Sequence, residues 1–484
     1  MSRLGSIEII EILANHARSR PRGPALVDAD GAVDFQTMER RSIQLANALA
    51  SAGVRRGDRV ALRFPNSRRQ YEGLFACARL GAILVPIDNS APAADIAQII
   101  LDSDAGILLD SEDAYDDLIS RPSPAHAQAA VSDEAALLIM YTSGTSGTPK
   151  GVTLTHANIF FTSINQIRGW RLTANDRILV VAPFHHISGL VLGFPCLHVG
   201  GTVHISPSTP DTLLETIERE RITALFLPPS LWAQIAHTAS IDRVDLRSVR
   251  LCASGGNPIP LPILKTLMQT FQAEFTGAYG LTEAASCSTI LQGSDIIRHA
   301  GSVGKPLTHN RISVVDPDGR TVNAGGIGEI VQAGPTVMKG YWRSAAHTNV
   351  AIRDGKLWTG DLGFIDKSGF LHVVGRKNDI IIRNHIPIYP LEIELILREH
   401  PAVNEAVVIG LDDARGRKLV VAIVEPRSGM LLEPADVMNY CAKLNGDEKV
   451  PQMVFIADSL PRTSSGKIDR TKLRATYTGL GLDS

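Results

Sequence analysis

Through most of its length the chain alternates short apolar runs with stretches of helical period, and that alternation leaves few architectures open. Val60, Leu62 and Phe64 alternate with Ala61 and Arg63, a strand pattern. Residues 137–141, 178–181, 224–227 and 249–253 are further strand-like runs, each bounded by Gly, Pro, Ser or Thr. Phe35, Met38, Leu45 and Leu49 fall near helical spacing, and Gly53 follows as a stop. Runs of this kind mixed with helices favour an α/β or mixed fold over an all-β one. The 484 residues suggest roughly three folding units, or two if one is large.

Residues 112–134 show no periodicity and are rich in Asp, Ser, Pro and Ala, which reads as a surface excursion into the strand at Leu137. A second break falls near 366–390. Past it, 407–409, 419–424 and 454–456 form another set of strand signals, in a tail long enough for a small domain of its own.

Charge excludes some partners. Forty-eight basic and 50 acidic side chains leave −2, so no overall field attracts nucleic acid or cationic partners. Cysteines stand at 77, 196, 252, 287 and 441, an odd set with no CxxC pair. They read as small buried hydrophobes in a reducing compartment, not as disulfides or a zinc site. Glu8 and Glu11 interrupt the first apolar stretch, unlike a secretory signal. The apolar run 178–201 holds His185, His186, Ser188 and His198 and is too polar for a membrane span. A soluble, cytoplasmic protein is the expectation.

The most informative stretch is 141–152, YTSGTSGTPKGV, after a strand and before a helix expected near Thr155. Gly144, Gly147 and Gly151 reach backbone angles closed to other residues. Thr142, Ser143, Thr145, Ser146 and Thr148 offer hydroxyls, and Lys150 a cation. This is the chemistry of a phosphate cradle, although a solvated Ser/Thr/Gly turn has the same composition. The spacing is not that of a Walker loop, because Pro149 precedes the lysine.

The loop resembles the signature of the adenylate-forming superfamily, which includes acyl-CoA synthetases, carrier-protein adenylation domains and luciferases; Ser146 replaces a threonine and keeps the hydroxyl. Four more motifs match in order. Alone, each also reads as ordinary structure: a helix start, an Asp in a turn, a surface Arg, a solvated loop lysine. YGLTEA (279–284) implies Tyr279 against the base, Thr282 at a phosphate and Glu283 on Mg²⁺, with Gly280 also among the ATP-binding residues. TGDLG (359–363) implies Asp361, on a loop, binding ribose. GRKNDIII opens with Gly375 and Arg376, and implies an arginine reaching the nucleotide. LPRTSSGKIDR (460–470) implies Lys467 as the catalytic cation, offsetting charge on carboxylate and phosphate oxygens.

The resemblance implies a large N-terminal domain of packed mixed sheets with helices (1–377) and a small mobile C-terminal α+β domain (378–484), hinged at Asn378. It implies ATP-dependent conversion of a small carboxylic acid to acyl-AMP, with Mg²⁺ and release of pyrophosphate. The acyl group then passes to an acceptor: coenzyme A first, alternatively an amine or a carrier-protein thiol. Thr145, Thr282, Glu283 and Lys467 would carry the chemistry. PFHHISGL (183–190) resembles the segment that borders the acyl site, with His186 as gate and His185 in place of an aromatic; core packing is the other reading of both. Gly255, Gly256 and Asn257 match a turn beside the nucleotide, with Gly255 and Gly256 also expected to border the acyl pocket and Asn257 replacing a small apolar residue. Ala278 replaces a frequent glycine and would shorten the pocket floor, and Trp232 is another candidate wall or core residue. RNHIPIYP (383–390) departs from the pattern: Asn384 and His385 occupy two glycine positions on the acceptor route. Asn378 stands where Asp or Lys is usual. These changes bear on the acceptor and leave adenylation intact. The two histidines and Asn257 point to a polar or aromatic acid over a long alkyl chain.

Overall fold

The computed structural model describes residues 9–126, 131–142, 149–383, 386–413, 417–445, 450–462 and 468–478, with the side chains at 443–445 left aside. Compact packing divides it into one unit of residues up to 312 with 331–358, and a second of 313–330 with 359 onward.

The first unit carries two sheets. Among the described residues one has nine strands, and the other six. In the larger sheet Leu251–Gly255 lies parallel between Ala224–Phe226 and Glu274–Leu281. The chain then reverses, so that Ser286–Gln292 runs antiparallel to Glu274–Leu281. In the smaller sheet Arg59–Leu62 sits parallel between its two neighbours. Strands in such positions are covered on both faces, which explains their nearly unbroken apolar runs. One core cluster joins Leu62, Leu84 and Leu138 of the smaller sheet to Ile178, Val203 and Leu251 of the larger.

The expected helix over the Phe35–Leu49 pattern runs Phe35–Ser51. Asp34 caps it by accepting from the Thr37 amide, and Gly53 follows at φ +97°. The helix expected near Thr155 is His156–Trp170, with Thr155 and Asn158 forming a reciprocal cap.

Four expectations are corrected. Residues 112–134 are not an aperiodic excursion throughout, because Glu112–Ser120 is a helix capped by Ser111. Tyr115 and Ile119, one turn apart, are its buried residues, and two anchors are too few for a visible period. The loop after 142 leads into a strand, Lys150–Thr155, and only then into the helix. The supposed break at 366–390 holds a strand, Leu371–Arg376, and a hairpin of Ile381–Arg383 with Ile386–Ile388. Asp361 lies within a strand, Lys356–Ile365, rather than on a loop.

In the second unit Val403–Asp412, Lys418–Pro426 and Met453–Ile456 form a three-stranded sheet. Successive side chains alternate faces. Val408, Val420 and Ala422 pack with Ile393 and Leu397 on one side, while Val407, Ile409 and Val421 pack with Leu460 and Leu473 on the other. All five cysteines are buried. Among the described residues no helix is long and apolar enough to cross a membrane.

Candidate active site

Each unit holds its own group of candidate residues. In the first, the strands on either side of the glycine-rich loop pair antiparallel. Thr142 pairs with Lys150 and Tyr141 with Gly151, so the ladder brings the two ends of the loop together. Ser143, Gly144, Thr145, Ser146, Gly147 and Thr148 lie outside the described residues. Gly151 is closely surrounded: a Cβ there would stand 2.7 Å from an Ile139 methyl, so a neighbour would have to shift.

Glu283 follows at the end of Glu274–Leu281, in the short turn Thr282–Ala284. Its carbonyl accepts from the Met338 amide at 2.9 Å. Its carboxylate accepts from the Tyr341 hydroxyl at 2.8 Å. Tyr341 in turn pairs with Val152 across an antiparallel ladder, and the Lys150 ammonium lies 5.7 Å from the centre of its ring. Tyr341 therefore brings together a cation and a carboxylate that are 133 positions apart in sequence. Sequence reasoning missed it. The only local signal is an aromatic pair, Tyr341–Trp342, directly after Gly340.

Gly280 is fixed by close approach: a Cβ would fall 1.7 Å from the Ser286 carbonyl oxygen, at an irregularity in the register beside Tyr279. Thr282 is buried, whereas Gly256 and Asn257 are exposed, with Gly256 at φ +87°. Gly255 and Ala278 are register partners. The Phe226 ring covers Gly255, where a Cβ would stand 2.8 Å from it.

The two histidines have different surroundings. The Asn66 amide holds their segment, donating to the Ala182 carbonyl and accepting from the Phe184 amide, each at 2.8 Å. The His186 Nδ1 is 2.9 Å from the Ser188 hydroxyl. The His185 Nε2 lies 3.6 Å from the Asp88 carboxylate. Burial holds the His185 pKa below its ordinary value, with Asp88 opposing. His185 lines a cleft of about 580 Å³ together with Asp88, Asn66 and His204. His186, Gly255, Trp232 and Ala278 do not line it. Trp232 is fully buried against Phe271 and Phe275 and donates to the Ala253 carbonyl at 3.1 Å.

In the second unit Asp361 and Arg376 face each other across an antiparallel pair, with the guanidinium Nε 2.5 Å from the carboxylate. The Asp361 side chain is buried and that of Arg376 is half exposed, so one end of the pair meets solvent. Thr359 fixes the strand, its hydroxyl donating to the Ile330 carbonyl at 2.7 Å and accepting from the Asp361 amide at 3.1 Å. Asn378 is the middle residue of the short turn Lys377–Asp379. Asn384, His385 and Lys467 lie outside the described residues.

Among the described residues no cluster of three or more His, Cys, Asp or Glu side chains is arranged to hold a metal. A single carboxylate such as Glu283 suits Mg²⁺, which keeps water and phosphate oxygens as most of its ligands.

The family model described as AMP-binding enzyme matches residues 13–342, and that of the AMP-binding enzyme C-terminal domain matches 392–467. The chain belongs to the AMP-binding enzyme family. As an AMP-binding enzyme it is an AMP-forming carboxylate ligase, using ATP and Mg²⁺, with the mixed α/β architecture of that family. It is similar to a feruloyl-CoA synthase of Amycolatopsis sp, with 34% identity covering 95% of this chain and 97% of the other. It is also similar to the solved o-succinylbenzoate CoA synthetase of Bacillus subtilis in complex with its acyl-adenylate. There the TM-score is 0.88 and the identity 30%, over 96% of this chain and 97% of that one. The same enzyme has been solved with ATP and a magnesium ion. An amide bond synthetase of Marinactinospora thermotolerans superposes with a TM-score of 0.87 at 28% identity, over 98% of this chain and 100% of that one.

Proposed function

We propose that this enzyme activates an aromatic carboxylic acid as its acyl-adenylate and passes the acyl group to coenzyme A. The observation that carries the choice of acid is the strand pair at Gly255 and Ala278. These two small residues are adjacent in register, and the Phe226 ring lies over the first. The Phe226 ring over this small pair offers an aromatic face, which suits stacking of a flat ring better than a long flexible chain. Feruloyl-CoA synthase and o-succinylbenzoate CoA synthetase, by their names, act on aromatic acids.

In the first step a carboxylate oxygen attacks the α-phosphorus of ATP. The bond from that phosphorus to the bridging oxygen breaks, and pyrophosphate leaves with the electron pair. Mg²⁺, when bound, screens the phosphate charge as the carboxylate approaches. We assign Glu283 to hold it, with Tyr341 orienting the carboxylate. The loop hydroxyls of Thr142, Ser143, Thr145, Ser146 and Thr148, the amides of Gly144 and Gly147, and Lys150 would cradle phosphate, joined by Gly280 and Thr282. Tyr279, Gly256 and Asn257 would meet the base, and Asp361 with Arg376 the ribose. Lys467 would offset charge in the transition state. In the second step the acceptor attacks the carbonyl carbon and AMP leaves. His186, Gly255 and Ala278 are assigned to the acyl pocket, with His185 and Trp232 beside it. Asn378 would be the hinge between 1–377 and 378–484. Five buried thiols suit a cytoplasmic setting.

A second reading, transfer to an amine, is favoured by Asn384 and His385, whose side chains would crowd a pantetheine route, and by the likeness to the amide bond synthetase. Substrate-dependent exchange of labelled pyrophosphate into ATP, run on aryl and alkyl acids, tests the acid. Faster exchange with alkyl acids refutes the aromatic assignment. Product analysis with coenzyme A and with amines then tests the acceptor: a thioester supports the first reading, and an amide formed in preference supports the second.

A further inference from the structure

Position 378 is bracketed by two ion pairs that tie its neighbours to different elements. On one side, the Lys377 ammonium lies 2.9 Å from the Glu329 carboxylate. Glu329 also accepts from the Gly360 amide at 3.2 Å, so Lys377 is tied to the strands that carry Asp361. On the other side, the Asp379 carboxylate accepts from Arg474 at 2.8 Å and has Arg470 at 3.9 Å. Arg470 leads onward. It pairs with Glu394 at 2.5 Å and donates to the Val408 carbonyl at 2.8 Å. Glu394 is almost wholly buried and also accepts from the Val408 amide at 2.8 Å. Burial of a charge with this many partners makes the network costly to break one member at a time.

Arg470 and Arg474 lie on the helix Arg470–Tyr477, which begins just past the Lys467 segment. The described residues on either side of that segment are held together. The Asp469 amide donates to the Pro461 carbonyl at 2.8 Å, and Arg462 bridges Ile468. A path of ion pairs and helix therefore runs from Asp379 to Asp469, all within the second unit.

We propose that Asp379 is a positioning residue for adenylation. It locks the segment after 378 to the Arg470–Tyr477 helix, so that a change in backbone angles at 378 is delivered to the start of that helix, three residues past Lys467, as a rigid movement. The Lys377–Glu329 pair holds the other side still. This inference rests on the assignment of Lys467 as the adenylation cation and of Asn378 as the hinge. Its specific content is that loss of the Asp379 link slows the step that needs Lys467 and spares the step that does not.

The test uses the full-length enzyme and measures the two half-reactions separately. For Asp379→Ala, pyrophosphate exchange falls roughly tenfold in kcat with KM for ATP unchanged. Acyl transfer from preformed acyl-adenylate, added directly, changes less than about twofold. Asp379→Glu, which keeps the charge, restores exchange. Equal loss in both half-reactions with a matching drop in Tm would mean a merely structural role and overturn the proposal. So would wild-type exchange in Asp379→Ala, or failure of the glutamate to rescue. Lys467→Ala is the separate control. If it keeps exchange, the functional assignment itself fails, whereas loss of exchange there with none in Asp379→Ala refutes only the coupling.

Discussion

At the scale of single residues, the informative finding is a partner that no motif names. The Tyr341 hydroxyl donates to Glu283, and a hydrogen bond to a charged acceptor contributes about 1.5–3 kcal/mol. Tyr341→Phe is therefore expected to lower pyrophosphate exchange roughly tenfold and to raise the Mg²⁺ concentration needed for half-maximal rate. An unchanged Mg²⁺ dependence would mean that Tyr341 does not orient the carboxylate. Gly280 gives a second prediction. A methyl at that position meets the Ser286 carbonyl oxygen at 1.7 Å, and the strand must move. Gly280→Ala should cost at least about 1–3 kcal/mol in urea unfolding and lose exchange as well. The same substitution at Gly256 faces open space but keeps the φ of +87°, so its cost should be about 1 kcal/mol.

At the scale of elements, what was legible in the sequence follows from how many residues speak for each piece. The helix Phe35–Ser51 buries seven residues along one side and announces itself by spacing. The strands of the second unit do so by unbroken apolar runs, since both of their faces are covered. The helix Glu112–Ser120 buries only Tyr115 and Ile119, and its attachment is polar: Tyr115 donates to buried Glu72, and Asp116 pairs with Arg41 and Arg69. Long-range ion pairs leave no local period, so this helix read as a loop. Tyr115→Ala should cost about 3–5 kcal/mol by chemical denaturation, because it empties an aromatic site and strips Glu72 of a donor. The candidate site shows the same division. Glycine and hydroxyl residues assigned to phosphate are contiguous in sequence, whereas Tyr341 and the Lys377–Glu329 and Asp379–Arg474 pairs come together only through folding.

At the scale of the whole molecule, buried imidazoles set a pH limit. His156, His198 and His204 each have a pKa pushed down to about 4, chiefly by burial. In the unfolded chain they titrate near 6.5. Between these values the unfolded state takes up protons that the folded state refuses, so stability falls as pH drops from about 6.5 toward about 4. Above that window these groups contribute no slope. Thermal melts across the range should show Tm declining only below about 6.5, and His204→Asn should flatten part of the decline. A Tm independent of pH down to 4 would refute buried, neutral histidines.

The interior placement of all five sulfurs has a practical outcome. Burial pushes the Cys77 thiol up to about 12 and the Cys287 thiol up to about 11, so neither offers a thiolate at neutral pH. Leu431, by contrast, is 97% exposed. With Leu431→Cys a maleimide dye would find a single reactive handle on the native enzyme, and its fluorescence could follow the tail through a catalytic cycle without any wild-type cysteine being removed.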